Sequence, residues 1–406
     1  MSEDITPKRS ESVIELAQKL IIINSEPQHR EFEIEQFLWN YLLNLGFYLE
    51  KVPYAEKRNN IVAIYPKPEE KIVDHYIAFS GHMDTVPGYK EEDVIVKDGK
   101  IFGRGSCDMK GGIAAILISV ESFLAKHKQA SEKILKRKKL QRGIVLLFTV
   151  DEETGCAGVV SLTKRNTPLT QNLNKEFFID FGINGEPTSL SPIISHKGVV
   201  WFLLDFFGKS AHASVPHLGR NAIELAAEFI IEVKKLHEIL KSRNYLTINS
   251  DITPPTLNIG VIQGGTKTNV IPDHVHLEID RRTIPGETAD SAFQEIREII
   301  KKFPGERIEI NMEHPGESYQ IPQGKENEYY KTVLGITEKF GVENAVSFME
   351  GYTESDILYR YFGIPMINLG PGSIAQAHTE KEYVEIGELM KACNIYYEIL
   401  TIYCWK

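Results

Sequence analysis

The sequence is poor in cysteine, and its cysteines follow no recognised spacing. Among 406 residues there are 4, without a CxxC pair or the density of a disulfide framework: Cys107, Cys156, Cys393 and Cys404. This composition excludes a disulfide-stapled secreted domain and is typical of a reducing compartment. Long apolar runs are also missing, since a membrane-spanning helix needs about 18 consecutive apolar residues. Residues 1–10 are polar and charged, so we expect neither a signal peptide nor a membrane anchor and predict a cytoplasmic protein.

An excess of positive charge is absent too. The chain has 46 Lys and Arg against 56 Asp and Glu, a formal net charge of -10. Because a net negative surface repels nucleic acid and anionic membranes, we predict that neither is a partner. The 42% hydrophobic and 25% charged residues are those of a globular protein, and the length favours two domains. A small-molecule substrate fits these properties best.

Strand-like and helix-like patterns alternate in the first half of the chain. Short runs rich in β-branched and aromatic residues predict strands at 60–65, 75–80, 143–150 and 177–183. Amphipathic or apolar helical spacing predicts helices at 12–23, 31–45 and 111–124. This alternation is typical of an α/β domain with a mixed or parallel, mostly buried sheet.

The pattern changes after Lys197. Predicted elements follow in the order βαββαβ, which is typical of a ferredoxin-like α+β domain: 199–207, 220–240, 256–263, 274–281, 291–303 and 307–312. The α/β pattern then resumes with a helix at 329–340, a strand at 365–369 and a helix at 386–402. We therefore predict a discontinuous α/β catalytic domain, 1–197 and 313–406, with an α+β domain, 198–312, inserted between its halves.

Histidines and carboxylates follow the ends of the predicted strands and two glycine-rich loops of the α/β domain. They are His82, Asp108, Glu152, Glu153, Glu186 and His378. In open α/β sheets the crevice beyond the carboxyl ends of the strands binds ligands, so these side chains are expected to converge. So many buried acids require a counter-charge, and a pair of metal ions supplies one. Nitrogen and oxygen ligands indicate zinc, with cobalt or manganese as alternatives.

Each of these residues also has a more ordinary interpretation. A single histidine such as His82 or His378 is more often a surface or core side chain, and two adjacent glutamates usually form a solvated turn. Asp108 alone could cap the helix that follows it. The coincidence of all of them at the loops of one sheet favours the metal site. Cys107 and Cys156 adjoin candidate ligands, but we expect both to be small buried residues and not zinc thiolates.

Seven segments resemble the signatures of a di-zinc peptidase and deacylase family that includes succinyl-diaminopimelate desuccinylase, acetylornithine deacetylase, aminoacylase and glutamate carboxypeptidase. The segments are 80–87 (SGHMDTVP), 103–112 (GRGSCDMKGG), 151–155 (DEETG), 185–187 (GEP), 208–214 (GKSAHAS), 268–273 (TNVIPD) and 377–379 (AHT). The resemblance covers nearly the whole chain. The motifs are highly specific together, although DEE alone would be weak.

The resemblance assigns the ligands of two zinc ions that share one aspartate: His82, Glu186 and Asp108 for one ion, and His378, Glu153 and Asp108 for the other. It makes Asp84 the acid whose carboxylate fixes the far imidazole nitrogen of His82. It also implies amide hydrolysis by a hydroxide that bridges the ions, with Glu152 as the general base that passes the proton to the departing amine. A glutamate at position 186 follows the desuccinylase, deacetylase and carboxypeptidase branch and not the aminotripeptidase branch.

The same resemblance makes the inserted domain a lid and dimerisation domain. It implies a homodimer in which a histidine matching His212 donates to the oxyanion at the partner chain's zinc site. Asn269, Arg282 and Gly372 are predicted to lie near the substrate. Arg282 could clamp an α-carboxylate with two parallel hydrogen bonds, and a surface ion pair is an equally good interpretation of it.

These features predict a metal-dependent amide hydrolase that deacylates an N-acyl amino acid, in the manner of a desuccinylase or deacetylase. An exopeptidase that cleaves dipeptides or C-terminal residues is the alternative, because both use the same amide and the same metal chemistry. A non-catalytic relative that binds metal or peptide is a more remote alternative. It would be favoured by a missing ligand or base, and all six residues are present.

Overall fold

The chain divides into two compact units in a computed structural model that describes residues 7–27, 31–133, 140–164, 166–173, 175, 177–247, 252–322, 324, 326–343 and 348–405. The first unit comprises the described parts of Met1–Ile194, Ile321–Ser347 and Thr353–Lys406, and the second those of Ser195–Gln320 and Phe348–Tyr352. The sequence places these boundaries after residues 197 and 312. The observed division differs because Ser195–His196 pairs with both Tyr319–Gln320 and Phe348–Met349.

A six-stranded mixed sheet forms the centre of the first unit. Its strands lie in the order Tyr48–Ala55, Arg58–Tyr65, Gly143–Thr149, His75–His82, Phe178–Asn184 and Met366–Asn368. The first two pairings are antiparallel and the other three are parallel. Every residue of Gly143–Thr149 is buried, as expected of a strand that is covered on both faces. The expected α/β domain is confirmed, and of the two expected sheet types, mixed or parallel, the structure has the mixed one.

Nine α-helices are found in the described part of the first unit: Pro7–Ile22, Glu31–Leu45, Gly111–Lys133, Glu152–Gly155, Ala157–Leu162, Pro168–Asn172, Glu326–Lys339, Ser355–Phe362 and Ile386–Cys404. The helices Gly111–Lys133 and Ile386–Cys404 pack against each other, and Ser119 Oγ donates a 3.0 Å hydrogen bond to the Cys393 carbonyl. Residues 113–117 are fully buried. This buried helix follows directly from the turn that contains Asp108.

Several parts of the first unit are not predicted from the sequence, among them the short helices Glu152–Gly155, Ala157–Leu162 and Pro168–Asn172. The strand Tyr48–Ala55 contains Pro53, which argues against a strand in sequence but is tolerated because the strand lies at the sheet edge. The helix Ser355–Phe362 has eight residues, too few for its period to stand out. A small sheet of Val96–Lys97, Lys100–Phe102 and Tyr383–Glu385 has strands of two or three residues.

The second unit has the predicted βαββαβ order. Its elements are Val199–Phe207, Ala222–Leu240, Thr256–Gly264, His274–Arg282, Ala289–Ile300 and Arg307–Gly316. The four strands form an antiparallel sheet in the order Thr256–Gly264, His274–Arg282, Val199–Phe207 and Arg307–Gly316. This is the ferredoxin-like arrangement, and the predicted fold class is confirmed.

Alternation along the strands decides which face of this sheet carries the helices. In Val199–Phe207 the even-numbered residues from Val200 to Phe206 are fully buried and join one apolar cluster with both helices. The odd-numbered residues face the other side, and Trp201 is exposed. The unit also contains two shorter pairs of strands, Ala211–His212 with Val270–Ile271 and Tyr245–Leu246 with Ile252–Thr253, and the small sheet of Ser195–His196, Tyr319–Gln320 and Phe348–Met349.

Within the described residues, we find no helix with both the length and the apolar character that a membrane crossing requires.

Candidate metal centre and active site

The strand ends of the first unit bring most of the candidate residues to one edge of the sheet. His82 is the last residue of the strand His75–His82, and Glu186 follows the strand Phe178–Asn184 by two residues. Glu152 and Glu153 open a short helix just after the strand Gly143–Thr149. These strands are parallel neighbours, so their carboxyl ends meet at the same edge.

The loop before the buried helix places Asp108 against His82. Asp108 has φ -122° and ψ 97°, so it belongs to a non-helical turn and does not act as a helix cap. Its peptide bond to Met109 is cis. Glu382 Oε1 accepts the backbone N–H groups of Cys107 and Asp108, each at 3.0 Å, and Glu382 Oε2 accepts a 2.7 Å bond from Arg104. A buried glutamate thus fixes the turn that carries Asp108.

Two groups of side chains share Asp108. His82, Asp108 and Glu186 offer ligand atoms within 4.8 Å of one another, and so do Asp108, Glu153 and His378. Asp108 Oδ1 lies 2.9 Å from His82 Nε2, and Asp108 Oδ2 lies 3.5 Å from His378 Nε2. Each carboxylate oxygen of Asp108 therefore serves a different group, as a bridging ligand must.

The electrostatics of the cluster also favour a bound cation. Burial, together with the charge of Asp108, raises the pKa of Glu186 to about 8. Burial likewise raises the pKa of Glu153, and it raises the pKa of Glu152 well above its usual value. Hydrogen bonds to Asp108 and Glu153 raise the pKa of His378 to about 10. The raised pKa values show that these crowded carboxyl groups resist ionisation. A metal charge stabilises their ionised form, so this set of donors fits a pair of metal ions.

Asp84 supports His82 through a different atom from the one predicted. His82 Nδ1 lies 3.0 Å from the backbone carbonyl of Asp84 and 3.8 Å from its carboxylate. The carboxylate instead accepts the backbone N–H groups of Glu152 at 3.2 Å and Glu153 at 3.0 Å. With Nδ1–H donated to the carbonyl, loss of the Nε2 proton would leave the lone pair that a metal requires on Nε2, the nitrogen that faces Asp108. The Asp84 carboxylate fixes the backbone of the two glutamates.

The two cysteines next to the site are buried and bonded to backbone. Cys107 Sγ donates to the Ser373 carbonyl at 3.3 Å, and Cys156 Sγ donates to the Glu152 carbonyl at 3.5 Å. Burial raises the pKa of both thiols, and nearby carboxylates raise it as well. Neither cysteine belongs to the two ligand groups found among the described residues.

Glu354 is an acid near this cluster that sequence reasoning missed. It is 1% exposed, and its Oε2 accepts a 2.7 Å hydrogen bond from Thr149, at the end of the strand that leads to Glu152. Burial raises its pKa to about 8, and the neighbouring charge of Asp84 also raises it. Glu354 lies at the start of the helix Ser355–Phe362, and no pattern in its own segment marked it.

Gly372 lies beside the Asp108 turn in the first unit. Its φ is +88°, and a Cβ there would meet Cys107 Sγ at 2.6 Å. Its backbone N–H donates to Glu388 at 2.6 Å. A glycine at this position therefore has a structural reason. Its contact with the substrate stays a prediction.

The three candidate residues of the inserted segment lie in the second unit. His212 and Asn269 are both exposed, and the Ala213 N–H donates to the Asn269 carbonyl at 3.0 Å. Arg282 Nε donates to Asp280 at 2.9 Å with its side chain 30% exposed, as in the surface ion pair weighed above. The neighbouring Arg281 is buried against Glu287.

Comparisons with known proteins agree with this site and fold. Residues 194–307 match a family model described as a peptidase dimerisation domain. The chain is 30% identical over 377 residues to acetylornithine deacetylase of Vibrio parahaemolyticus, covering 90% of each chain. It is 31% identical over 381 residues to acetylornithine deacetylase of Yersinia pseudotuberculosis, again covering 90% of each.

Solved structures show the same architecture. A tripeptidase from Staphylococcus aureus superposes with a TM-score of 0.75 at 24% identity, covering 97% of this chain and 98% of the other. An M20 family metallo-carboxypeptidase from Sulfolobus solfataricus gives 0.74 at 18% identity, covering 98% and 99%. The sequence resemblance and the hydrolase prediction are confirmed by these matches. The chain belongs to the M20 family of metal-dependent peptidases and deacylases, whose members hydrolyse amide or peptide bonds.

Proposed function

We propose that this protein is a two-zinc deacylase that removes the acyl group from an N-acyl amino acid. The observation that carries the proposal is Asp108, whose two carboxylate oxygens serve separate groups of ligands. The relatives at about 30% identity that cover nine-tenths of both chains are acetylornithine deacetylases, which favours an N-acetyl or similar N-acyl amino acid over a peptide. We place the reaction in the cytoplasm.

The metal ligands follow from the two groups. His82, Asp108 and Glu186 would hold one ion, and Asp108, Glu153 and His378 the other. Nitrogen and oxygen donors without thiolate suit Zn2+, with Co2+ or Mn2+ as alternatives. When bound, two such ions lower the pKa of a coordinated water and polarise the substrate carbonyl.

Glu152 would move the proton of the reaction. Burial raises the pKa of its carboxyl well above the usual value, so Glu152 holds a proton more tightly than an exposed glutamate, as a group that takes a proton from water requires. Glu152 accepts the proton of the attacking water as oxygen adds to the acyl carbon. The C–N bond then breaks, and Glu152 delivers that proton to the departing amine nitrogen. The products are a carboxylate and a free amino acid.

The second unit would supply contacts with the substrate. We assign His212 as the donor to the developing oxyanion, because the metal ligands and Glu152 come from the first unit and include no such donor. Asn269 and Arg282 would contact the substrate, with the Arg282 guanidinium on its α-carboxylate. Gly372, beside the Asp108 turn, would also contact the substrate.

We further propose a homodimer with shared active sites. The strand Thr256–Gly264 is an edge strand, and it carries Ile262 with 56% of its surface exposed. The helix Ala222–Leu240 exposes three isoleucines, Ile223, Ile231 and Ile239. An open strand edge and exposed apolar side chains are suited to pairing with a second copy, and both lie within the matched dimerisation domain.

A substrate panel tests the reaction. Purified protein with added zinc should be assayed on N-acetyl, N-succinyl and other N-acyl amino acids and on dipeptides, with Glu152→Gln prepared in parallel as the blank. The proposal requires the highest kcat/KM on an N-acyl amino acid. A preference for dipeptides would make the protein an exopeptidase, and no turnover above the blank would support the non-catalytic alternative.

A further inference from the structure

The His212 ring is held by one neighbouring residue through a single nitrogen. His212 Nδ1 lies 3.2 Å from the backbone nitrogen of Ser214, whose N–H points at it, and 2.7 Å from the Ser214 hydroxyl oxygen. A backbone N–H can only donate a hydrogen bond. His212 Nδ1 therefore accepts this hydrogen bond through its single lone pair and carries no proton, which makes the Ser214 hydroxyl a second donor that shares the same lone pair.

This contact defines the protonation of the whole ring. A neutral imidazole has one N–H and one acceptor nitrogen, so an unprotonated Nδ1 puts the proton on Nε2. His212 is therefore a donor at Nε2 only, whereas an unconstrained imidazole exchanges between two neutral tautomers.

The backbone around His212 is tied down, so this contact has a fixed geometry. Ala211–His212 pairs with Val270–Ile271, and the Ala213 N–H donates to the Asn269 carbonyl. The Val215 N–H donates to the His212 carbonyl at 2.9 Å, closing the turn that carries Ser214. The side chain of an exposed histidine is otherwise free to rotate, and Ser214 limits that rotation.

We propose that Ser214 is a positioning residue that fixes His212 as the Nε2–H tautomer, making Nε2–H the atom that donates to the substrate's carbonyl oxygen. The donor role rests on the function proposed above, whereas the tautomer rests on the Ser214 contact alone. Ser214 acts through His212 and does not itself contact the reacting atoms. An experiment can therefore contradict the donor role of His212 without contradicting its tautomer, and the reverse.

Nitrogen-15 NMR of histidine-labelled protein tests the tautomer directly. The chain has 12 histidines, and His212→Gln identifies the His212 signals by difference. Above pH 8, where an ordinary histidine of pKa about 6.5 is neutral, the ring should show a protonated Nε2 and an unprotonated Nδ1. A ring protonated at Nδ1, or an equal mixture of the two tautomers, would overturn the assignment.

Two amide substitutions at His212 test which nitrogen acts. The amide nitrogen of Gln lies near the position of Nε2, and that of Asn near Nδ1. His212→Gln should therefore keep more of kcat than His212→Asn, with KM changed little, while His212→Asn should resemble His212→Ala. Higher kcat in His212→Asn than in His212→Gln would assign the donor to Nδ1 and overturn the proposal.

Substitution of Ser214 tests the positioning role. Ser214→Ala keeps the backbone donor but loses the hydroxyl, so kcat should fall about 3- to 10-fold, as expected for one neutral hydrogen bond. Ser214→Thr retains a hydroxyl and should restore the rate and the NMR signature. Ser210→Ala, an equal change at an exposed site of the same loop, is the control. If Ser214→Ala leaves both kcat and the ring signals unchanged, Ser214 has no positioning role.

A last comparison separates this inference from the proposed function. If His212→Ala retains full kcat while NMR shows the Nε2–H tautomer in the wild-type protein, the oxyanion role fails and the tautomer assignment stands. If His212→Ala loses activity but the ring is protonated at Nδ1, the proposed function survives and the assignment fails.

Discussion

Glu382 Oε1 lies 3.0 Å from the backbone nitrogen of Asp108, the aspartate that both ligand groups share. Glu382 is 3% exposed, and its other oxygen is paired with Arg104. The turn that presents Asp108 is therefore fixed by a charged hydrogen bond from a residue far along the chain. Outer contacts of this kind orient metal ligands and contribute to metal affinity.

Replacing Glu382 should weaken metal binding. In Glu382→Gln the charge that holds Arg104 is lost, so the Asp108 turn loosens, and zinc affinity should fall about 10- to 100-fold. A competition titration with a chromogenic chelator measures this. Glu380→Gln, the same change at an exposed site two residues earlier, is the control. Equal zinc affinity in wild type and Glu382→Gln would show that the turn does not depend on Glu382.

Removing the shared ligand should affect both ions. Metal analysis of purified protein should approach two zinc or equivalent ions per chain, and Asp108→Ala should lose most of both, because its oxygens serve both groups. The exposed Asp93→Ala should keep full metal content. A wild-type chain that stays metal-free in the presence of zinc, or an Asp108→Ala variant with two ions, would refute the bridged site.

Two adjacent glutamates should respond differently to the same substitution. Glu152→Gln cannot accept a proton, so turnover should fall by at least about 10²-fold while metal content stays near wild type. Glu153→Gln weakens a ligand that pairs with His378 at 3.0 Å, so it should lose metal as well as activity. Inductively coupled plasma analysis beside initial rates separates the two. Near-normal rates in Glu152→Gln would move the base elsewhere.

The sequence predicts those elements and site residues whose positions are marked by a local pattern of residues. The helix Glu31–Leu45 and the strand Val199–Phe207 have the predicted bounds, because each is bounded by residues that break its period. His82 and Glu186 were placed at strand ends, and strand ends are visible in sequence as the end of an apolar run.

The remainder depends on contacts between distant residues, which one sequence does not contain. Glu382 and Asp108 are 274 positions apart, and Thr149 and Glu354 are 205 apart. The sequence predicts that the Asp84 carboxylate orients the His82 ring. In the structure the Asp84 backbone carbonyl contacts His82 Nδ1, because the carboxylate accepts hydrogen bonds from two backbone N–H groups. The metal ligands can be predicted from residue types and motifs. The contacts that hold those ligands in place are visible only in the folded structure.

The buried Glu354 should make stability depend on pH. Its pKa is about 8 in the folded protein against 4.5 for an ordinary glutamate, so the folded state binds more protons between these values. Stability of the metal-free protein should therefore fall as pH rises from about 5 to 8. Glu354→Gln removes this contribution, and its urea midpoint should fall less than wild type over that range. Parallel curves for the two proteins would show that Glu354 is ionised in the folded state.

The shared-site dimer makes a prediction about mixed chains. His212 lies in the second unit and the metal ligands lie in the first. A substitution of His212 can therefore leave the metal ligands and Glu152 of the same chain intact. His212→Ala should lose about 10²- to 10³-fold in kcat, the usual cost of an oxyanion donor. Glu152→Gln should be nearly inactive for lack of a base.

Co-expression of these two variants with different affinity tags yields heterodimers that can be purified through both tags. The His212→Ala chain keeps an intact Glu152, and the Glu152→Gln chain keeps an intact His212. If His212 acts on the partner chain's site, these two intact residues meet in one site of the heterodimer. One of the two sites per heterodimer should then work, at about half of the wild-type rate, while the other carries both defects. If His212 acts within its own chain, each site keeps one defect and the heterodimer stays as inactive as its parents. A fully active protein that sediments as a monomer at assay concentration would exclude the shared site.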